Sequence, residues 1–292
     1  MKVVISGRGG FLGSALDKAL LSKQHTTCRI TQDLLYNPLD LHRFFQLEQP
    51  DVIYHLASYG NMHHQDDIAM TVLSNIIGTF NMLKESLSVS YRAFIYTSSS
   101  SAYGTHYEPM KETDLPLPNT FYGASKLSAE YLCRVFSKQY QKPIISARLF
   151  SVYGPGEADF RFIPTVIKHI IKGFPFPLDA KANHDWIYIQ DVIDALLLIM
   201  EHPFLPDKVI YIGSGVQHNN REICDMIKKV SGKDYLPTLF PKMRGNDSEM
   251  WTANVDYLRR LGWYPKILLL DGLKECWDYY SNKYVKDTKQ ST

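Results

Sequence analysis

The stretch Val3-Val4-Ile5-Ser6-Gly7-Arg8-Gly9-Gly10-Phe11-Leu12-Gly13 decides the fold. An apolar, β-branched run of the buried-strand type leads into glycines at 7, 10 and 13, and an amphipathic segment, Ser14 to Leu21, follows. The pattern predicts strand, tight turn and helix. Glycines so placed allow a left-handed turn, close approach of a pyrophosphate to the backbone, and close packing of helix on strand. The helix N-terminus, with Phe11 and Leu12 at its start, adds amide donors and positive potential for phosphates. This combination reads as a dinucleotide site.

Outward from it, strand-like runs at Lys2 to Ser6, Asp51 to Leu56, Ala93 to Thr97 and Pro143 to Leu149 alternate with helical patterns. The helices are expected at Phe11 to Ser22, Leu39 to Glu48, Ile68 to Ser86 and Ala124 to Tyr140. Such alternation predicts an α/β fold with a doubly wound parallel sheet. After Tyr153, prolines at 155, 164, 175, 177, 203 and 206 punctuate shorter elements, which reads as a smaller C-terminal substrate-binding lobe. The expected division assigns residues 1–150 and about 185–205 to the dinucleotide domain and about 151–184 and 206–284 to the lobe. Residues 285–292 read as a disordered tail.

Two further clusters carry chemistry. Phe94 to Thr97 is a strand ending in Ser98-Ser99-Ser100-Ser101, at the strand end where open α/β sheets bind ligands. In Phe121-Tyr122-Gly123-Ala124-Ser125-Lys126, Tyr122 and Lys126 stand four apart on one helix face, so the ammonium can favour the ionised phenol. A tyrosine ordinarily titrates near pH 10, and proton exchange near neutrality requires that value to fall.

Composition agrees with a large globular fold. At 292 residues and 45% hydrophobic content the chain can bury a substantial core, and a net charge of +2 gives no electrostatic case for nucleic acid or a membrane surface. Cys28, Cys133, Cys224 and Cys276 show neither metal-type pairing nor disulfide density, so no metal is expected and a cytoplasmic location fits. The longest apolar run, Ala195 to Met200, is far below a membrane span.

Strand, glycine turn, serine cluster and Tyr-x-x-x-Lys in this order resemble the extended short-chain dehydrogenase/reductase family, in particular its nucleotide-sugar branch. The resemblance covers nearly the whole chain. It includes Pro50 to Ser58, Asn75-Ile76-Ile77-Gly78-Thr79, Tyr153-Gly154-Pro155-Gly156, Asp185-Trp186 to Asp191-Val192, Arg244 to Asp247, and Leu261 to Pro265. It implies a Rossmann fold, a homodimer paired through the helices Ile68 to Ser86 and Ala124 to Tyr140, and a nucleotide-sugar substrate. By the same resemblance Ser99, Tyr122 and Lys126 are catalytic, and Leu56, Ala57 and Asn75 join the glycine turn in holding the cofactor. Ser100, Ser101, Arg161, Arg244 and Asp247 are then expected at the substrate.

The cofactor has two readings. Asp33, twenty residues after Gly13, stands where an acid could grip the ribose of NAD, although Asp33-Leu34 also resembles the family's aspartate-aliphatic pair at the adenine edge. Arg8 and Arg29 suit a 2′-phosphate, and NADP is therefore the first expectation with NAD the second. Family members that dehydrate the sugar carry acids after the catalytic hydroxyl, where this chain has Ser100 and Ser101. Members that epimerise at carbons 3 and 5 carry a cysteine where Ser101 stands and a histidine near Arg161, and both are missing here, which leaves chemistry at one carbon, with a 4-keto-6-deoxy nucleotide-sugar 4-reductase expected first. A 4-epimerase with tightly held NAD is the alternative, and a non-catalytic NADP sensor the third. Two departures from the family pattern stand out: Ser151 where an asparagine is usual and His184 where an arginine is usual.

Overall fold

Strand β1 (Lys2–Ser6) places Val3 and Ile5 in one core and Val4 in another, because consecutive strand residues face opposite sides of a sheet that is covered on both. The computed structural model describes residues 1–62, 64–111, 113–175, 177–180, 182–202, 208–233, 238–240 and 250–290. From β1 the chain runs through α1 (Phe11–Ser22) to β2 (Thr26–Ile30), then α2 (Gln32–Tyr36) and α3 (Pro38–Glu48) to β3 (Val52–His55). Next come α4 (Ile68–Val72), a wider π-type turn over Leu73–Ile77, α5 (Gly78–Ser86), β4 (Ala93–Ser99), α6 (Phe121–Tyr140) and β5 (Ile144–Leu149). The helix expected from Ile68 to Ser86 therefore forms with an extra residue looped into its middle.

The second half contains β6 (Ser151–Tyr153), α7 (Phe162–Lys172), β7 (Pro177–Asp179), β8 (Asn183–Tyr188), α8 (Ile189–Glu201) and β9 (Val209–Ile212). It closes with β10 (Gln217–Asn219), α9 (Asn220–Ser231), β11 (Thr238–Phe240), α10 (Asp256–Arg260) and α11 (Leu269–Gln290). The main sheet has six parallel strands in the order β2-β1-β3-β4-β5-β9, as a doubly wound Rossmann-like fold requires. Smaller sheets, β10-β8-β6 and β11-β7, belong to the second half.

Two boundaries need correction. Val209–Ile212, expected in the lobe, is the sixth strand of the main sheet, because its apolar run Val-Ile-Tyr-Ile pairs in parallel with β5 and covers that edge. The tail expected from Val285 continues α11 to Gln290.

One face of the sheet packs on Leu16 and Leu20 of α1 and Val192 and Leu196 of α8, and the other on Phe45, Met82, Cys133 and Phe136. The acids of the Asp-Trp…Asp-Val motif have architectural work. Asp185 is fully buried and accepts from Ser214 N and Oγ, both at 2.6 Å, and from Gly215 N and Ala253 N at 3.0 Å. Asp191 accepts from Lys266 N at 2.8 Å and Ile267 N at 3.2 Å, which draws the segment after α10 onto α8. Among the described residues no helix is long and apolar enough to cross a membrane.

Candidate active site

At the carboxyl end of β1 the glycine turn forms a cradle. Gly7 has φ +73°, and a Cβ there would come within 2.7 Å of Ala57 N, so the turn and the end of β3 approach more closely than a side chain permits. A Cβ on Gly13 would overlap the Gly7 carbonyl oxygen. Helix α1 begins at Gly10 with no side-chain cap and no acid in its first turn, leaving its amides and dipole to an anion. These features fit the pyrophosphate of a dinucleotide. The cradle opens into a cleft of about 500 Å³ lined by Gly7, Gly10, Phe11, Leu12, Gly13, Arg29, Leu56 and Ala57, and farther along by Ser99, Tyr122 and Lys126.

A buried polar network braces the cradle from below. His55 accepts from Ser6 Oγ at 2.6 Å through Nδ1 and meets Thr79 Oγ1 at 2.9 Å through Nε2, while Thr79 donates to the Asn75 carbonyl at 2.6 Å. Because that hydroxyl spends its proton on Asn75, it receives one from His55, and the ring is the neutral Nε2–H tautomer. Burial, seconded by the charge of Lys126, lowers the His55 pKa to about 3. Ser6 Oγ also accepts from Ala57 N at 3.3 Å, which ties β1 to the loop after β3.

Helix α6 carries Tyr122 and Lys126. Thr120 caps it by accepting from Gly123 N at 2.9 Å, and the missing Cβ at Gly123 admits the Ser101 carbonyl against the first turn. Tyr122 thus enters the cleft within hydrogen-bonding reach of Ser99, at the end of β4, and Ser58, beyond β3. Burial raises the Tyr122 pKa, while the bonds to Ser99 and Ser58 and the charge of Arg161 pull the other way. Lys126, one turn on, is 2% exposed, and its ammonium lies 4.4 Å over the Tyr96 ring. Desolvation lowers the Lys126 pKa to about 7. In the cofactor-free cleft the Lys126 ammonium thus rests on Tyr96, and the charge of Arg161 also favours the ionised phenol of Tyr122.

Other expected residues divide. Arg29 lines the cleft, with Nη2 3.8 Å from where a Cβ on Gly9 would stand. Arg8 does not line it: its guanidinium pairs with Asp17 Oδ2 of α1 at 2.8 Å. Asp33 is exposed in the first turn of α2, where Thr31 caps Leu34 N, and neither Asp33 nor Leu34 lines the cleft; Gln32, Leu35 and Tyr36 do. Asn75 is also withheld. Its amide accepts from Tyr59 N at 2.8 Å and donates to Tyr59 O at 2.7 Å and Ser125 Oγ at 2.8 Å, binding the Tyr59 loop to α6.

Ser100 and Ser101 start a short helical turn behind Ser99, and neither lines the cleft, because Ser101 N folds back to Ser99 Oγ at 3.1 Å. Arg161 lines the cleft, whereas Arg244 and Asp247 lie outside the described residues. The two departures, Ser151 and His184, contact each other at 3.3 Å across β6 and β8.

Sequence reasoning missed Glu157, and it named Ser58 and Ser98 only within longer stretches, without a role of their own. Ser98 Oγ is buried at the cleft wall with no protein partner. Glu157 also lines the cleft, accepts from Arg161 Nε at 3.1 Å through Oε1, and leaves Oε2 buried without a donor. Burial, against the pull of Arg161, pushes its pKa up to about 7. The four-residue spacing of Glu157 and Arg161 was visible, but α7 begins only at Phe162, so helical periodicity could not reveal the pair.

Similarity to known proteins agrees with this geometry. An uncharacterized UDP-glucose epimerase, YtcB of Bacillus subtilis, is 28% identical over 97% of this chain and 99% of its own length. The structure of UDP-glucuronic acid 4-epimerase from Bacillus cereus, in complex with UDP-glucuronic acid and NAD, superposes with a TM-score of 0.90 at 28% identity, covering 97% of this chain and 100% of that one. RMD from Pseudomonas aeruginosa, complexed with NADPH, shares the fold with a TM-score of 0.86 at 24% identity, over 97% and 99% of the two chains. The profile described as NAD dependent epimerase/dehydratase family matches residues 3–213, and with the glycine cradle and the Ser99, Tyr122 and Lys126 cluster inside that span, the chain belongs to this family of extended short-chain dehydrogenases/reductases.

Proposed function

We propose that this protein is a nucleotide-sugar 4-epimerase that works with a nicotinamide dinucleotide held on the glycine cradle. The observation that carries the reading is the placement of Tyr122 beside Ser99 and Ser58 in a cleft continuous with that cradle. No carboxylate follows Ser99, since Ser100 and Ser101 occupy those positions and face away, which disfavours loss of water from a neighbouring carbon. The dinucleotide supplies the hydride acceptor and, once reduced, the donor. Tyr122 takes the proton from the sugar hydroxyl and returns it to the carbonyl oxygen, while Ser99 donates a hydrogen bond to that oxygen. Inversion requires the ketone to present its other face before hydride returns. Two of the relatives named above, YtcB and the Bacillus cereus 4-epimerase, support epimerisation over the reduction first expected from sequence.

Incubating the purified protein with UDP-glucose and with UDP-galactose, no cofactor added, is expected to give the other epimer from each. No interconversion, combined with NADPH-dependent consumption of a 4-keto nucleotide sugar, would replace this reading with the reductase.

One observation favours that second reading. At the adenosine end, Arg29 lines the cleft together with Thr31 and Gln32, and Glu157 is the one carboxylate among the described lining residues. A guanidinium without an acid suits a 2′-phosphate. Arg29→Ala is expected to weaken NADPH binding by one to two orders of magnitude and NADH binding little, since a charge-assisted bond is worth about 1.5–3 kcal/mol. Arg8→Ala should change neither, because Arg8 is committed to Asp17. Equal losses for both cofactors in the Arg29 variant would count against the phosphate role.

The homodimer belongs to the same proposal. Val72, Ile77 and Phe80 on the α4–α5 rod and Tyr131, Val135 and Tyr140 on α6 are large, apolar and exposed. Phe80→Glu with Val135→Glu should convert a dimer into a monomer in solution scattering. A monomeric wild-type protein at micromolar concentration would refute the assembly.

A further inference from the structure

Three cations line the cleft among the described residues: Arg29, Lys126 and Arg161. Arg29 stands at the adenosine end and Lys126 is sunk over Tyr96, so Arg161, whose charge reaches the Tyr122 phenol, is the cation at the reacting end. It is already engaged. Nε donates to Glu157 Oε1 at 3.1 Å and Nη1 to the Asn61 carbonyl at 3.4 Å. Glu157 is 6% exposed, has no donor for Oε2, and is the one carboxylate of the described lining.

Resting on the reading of this cleft as a nucleotide-sugar site, we propose that Glu157 is a specificity-determining residue that selects sugars without a carboxylate, hexoses or deoxyhexoses, and rejects hexuronates. A uronate entering the reacting end would meet a guanidinium whose charge is already matched, beside a second carboxylate with a vacant lone pair and little water to screen it. A neutral sugar meets no such cost. Discrimination therefore comes from a repulsive element, and it is conditional on the charge of Glu157.

That charge is sensitive to pH. Burial has raised the Glu157 pKa to about 7, so the carboxyl takes up a proton as pH falls through neutrality and frees Arg161 for another anion. The neighbours facing it are Arg161 from its own loop and Tyr280 and Cys276 from α11. The last two keep their protons in this range, since burial raises both. Asp159, two residues on, is held by Lys283 Nζ at 2.7 Å.

The test measures kcat/KM for UDP-glucose and UDP-glucuronate with wild type and Glu157→Gln at pH 6 and pH 8. Wild type at pH 8 is expected to prefer the hexose by about a hundredfold, and Glu157→Gln to narrow that ratio at least about tenfold by raising uronate use. Wild type should also narrow at pH 6, whereas the variant's ratio should not move with pH. Uronate used as well as hexose by wild type at pH 8, or a ratio unchanged by the substitution, overturns the proposal. If Glu157→Gln does not fold, the wild-type pH dependence decides. If neither sugar is epimerised, the epimerase reading fails separately, and calorimetry of the two sugars on wild type settles the selectivity. Tighter binding of UDP-glucose at pH 8 than at pH 6, relative to UDP-glucuronate, upholds it, and equal binding overturns it.

Discussion

Tyr122→Phe is expected to lower turnover by at least about a hundredfold while leaving dinucleotide affinity little changed. The phenol lines the cleft beside Ser99 and Ser58, and the substitution removes its oxygen while keeping the ring. Ser99→Ala should cost less, because the proton acceptor remains and one hydrogen bond to the reacting oxygen is lost. Single-turnover measurement of sugar oxidation, with bound cofactor quantified separately, checks both. A Phe variant that oxidises sugar at near-normal rate would place the proton transfer elsewhere.

Lys126→Met should abolish most activity and, in the cofactor-free protein, stabilise the fold in a pH-dependent way. The folded-state pKa of about 7 lies below the ordinary 10.5, so the unfolded chain binds the extra proton between those values. Wild-type stability contributed by this group therefore rises with pH from about 7 to about 10.5, and below about 7 the full cost of burying the ammonium is present. A displacement of that size corresponds to roughly 5 kcal/mol at most, reduced by the attraction of the Tyr96 ring. The variant is expected to melt well above wild type at pH 6, with the gap closing toward pH 10. A gap constant across that range would show that Lys126 is not held against desolvation, and the assignment of its low pKa would fall.

The same residue illustrates where reading from sequence stops. That Tyr122 and Lys126 share a helix face follows from their spacing, and α6 does present both inward. Which group each side chain meets does not follow. Tyr96, on strand β4, takes the ammonium, and the charge of Arg161, from the segment before α7, acts on the phenol. Arg8 makes the point at shorter range. It lies inside the glycine turn, as a phosphate-binding arginine would, but one side of α1 brings Asp17 to it first. Asn75, read as a cofactor ligand through resemblance, spends its amide on Tyr59 and Ser125.

By itself the sequence determined the strand, turn and helix around Gly7, Gly10 and Gly13, the alternation that builds a parallel sheet, and the helix face that Tyr122 and Lys126 share. These are local matters: backbone sterics at glycine, a period of two or 3.6 residues, and the spacing of groups on one element. The tertiary structure alone decided that β9 completes the sheet, that His55 is a neutral brace beneath the cradle, and that Glu157 claims Arg161. It did so because burial and partner choice depend on which elements pack together, and the energy of a buried charge is set by neighbours that carry no regular spacing along the chain.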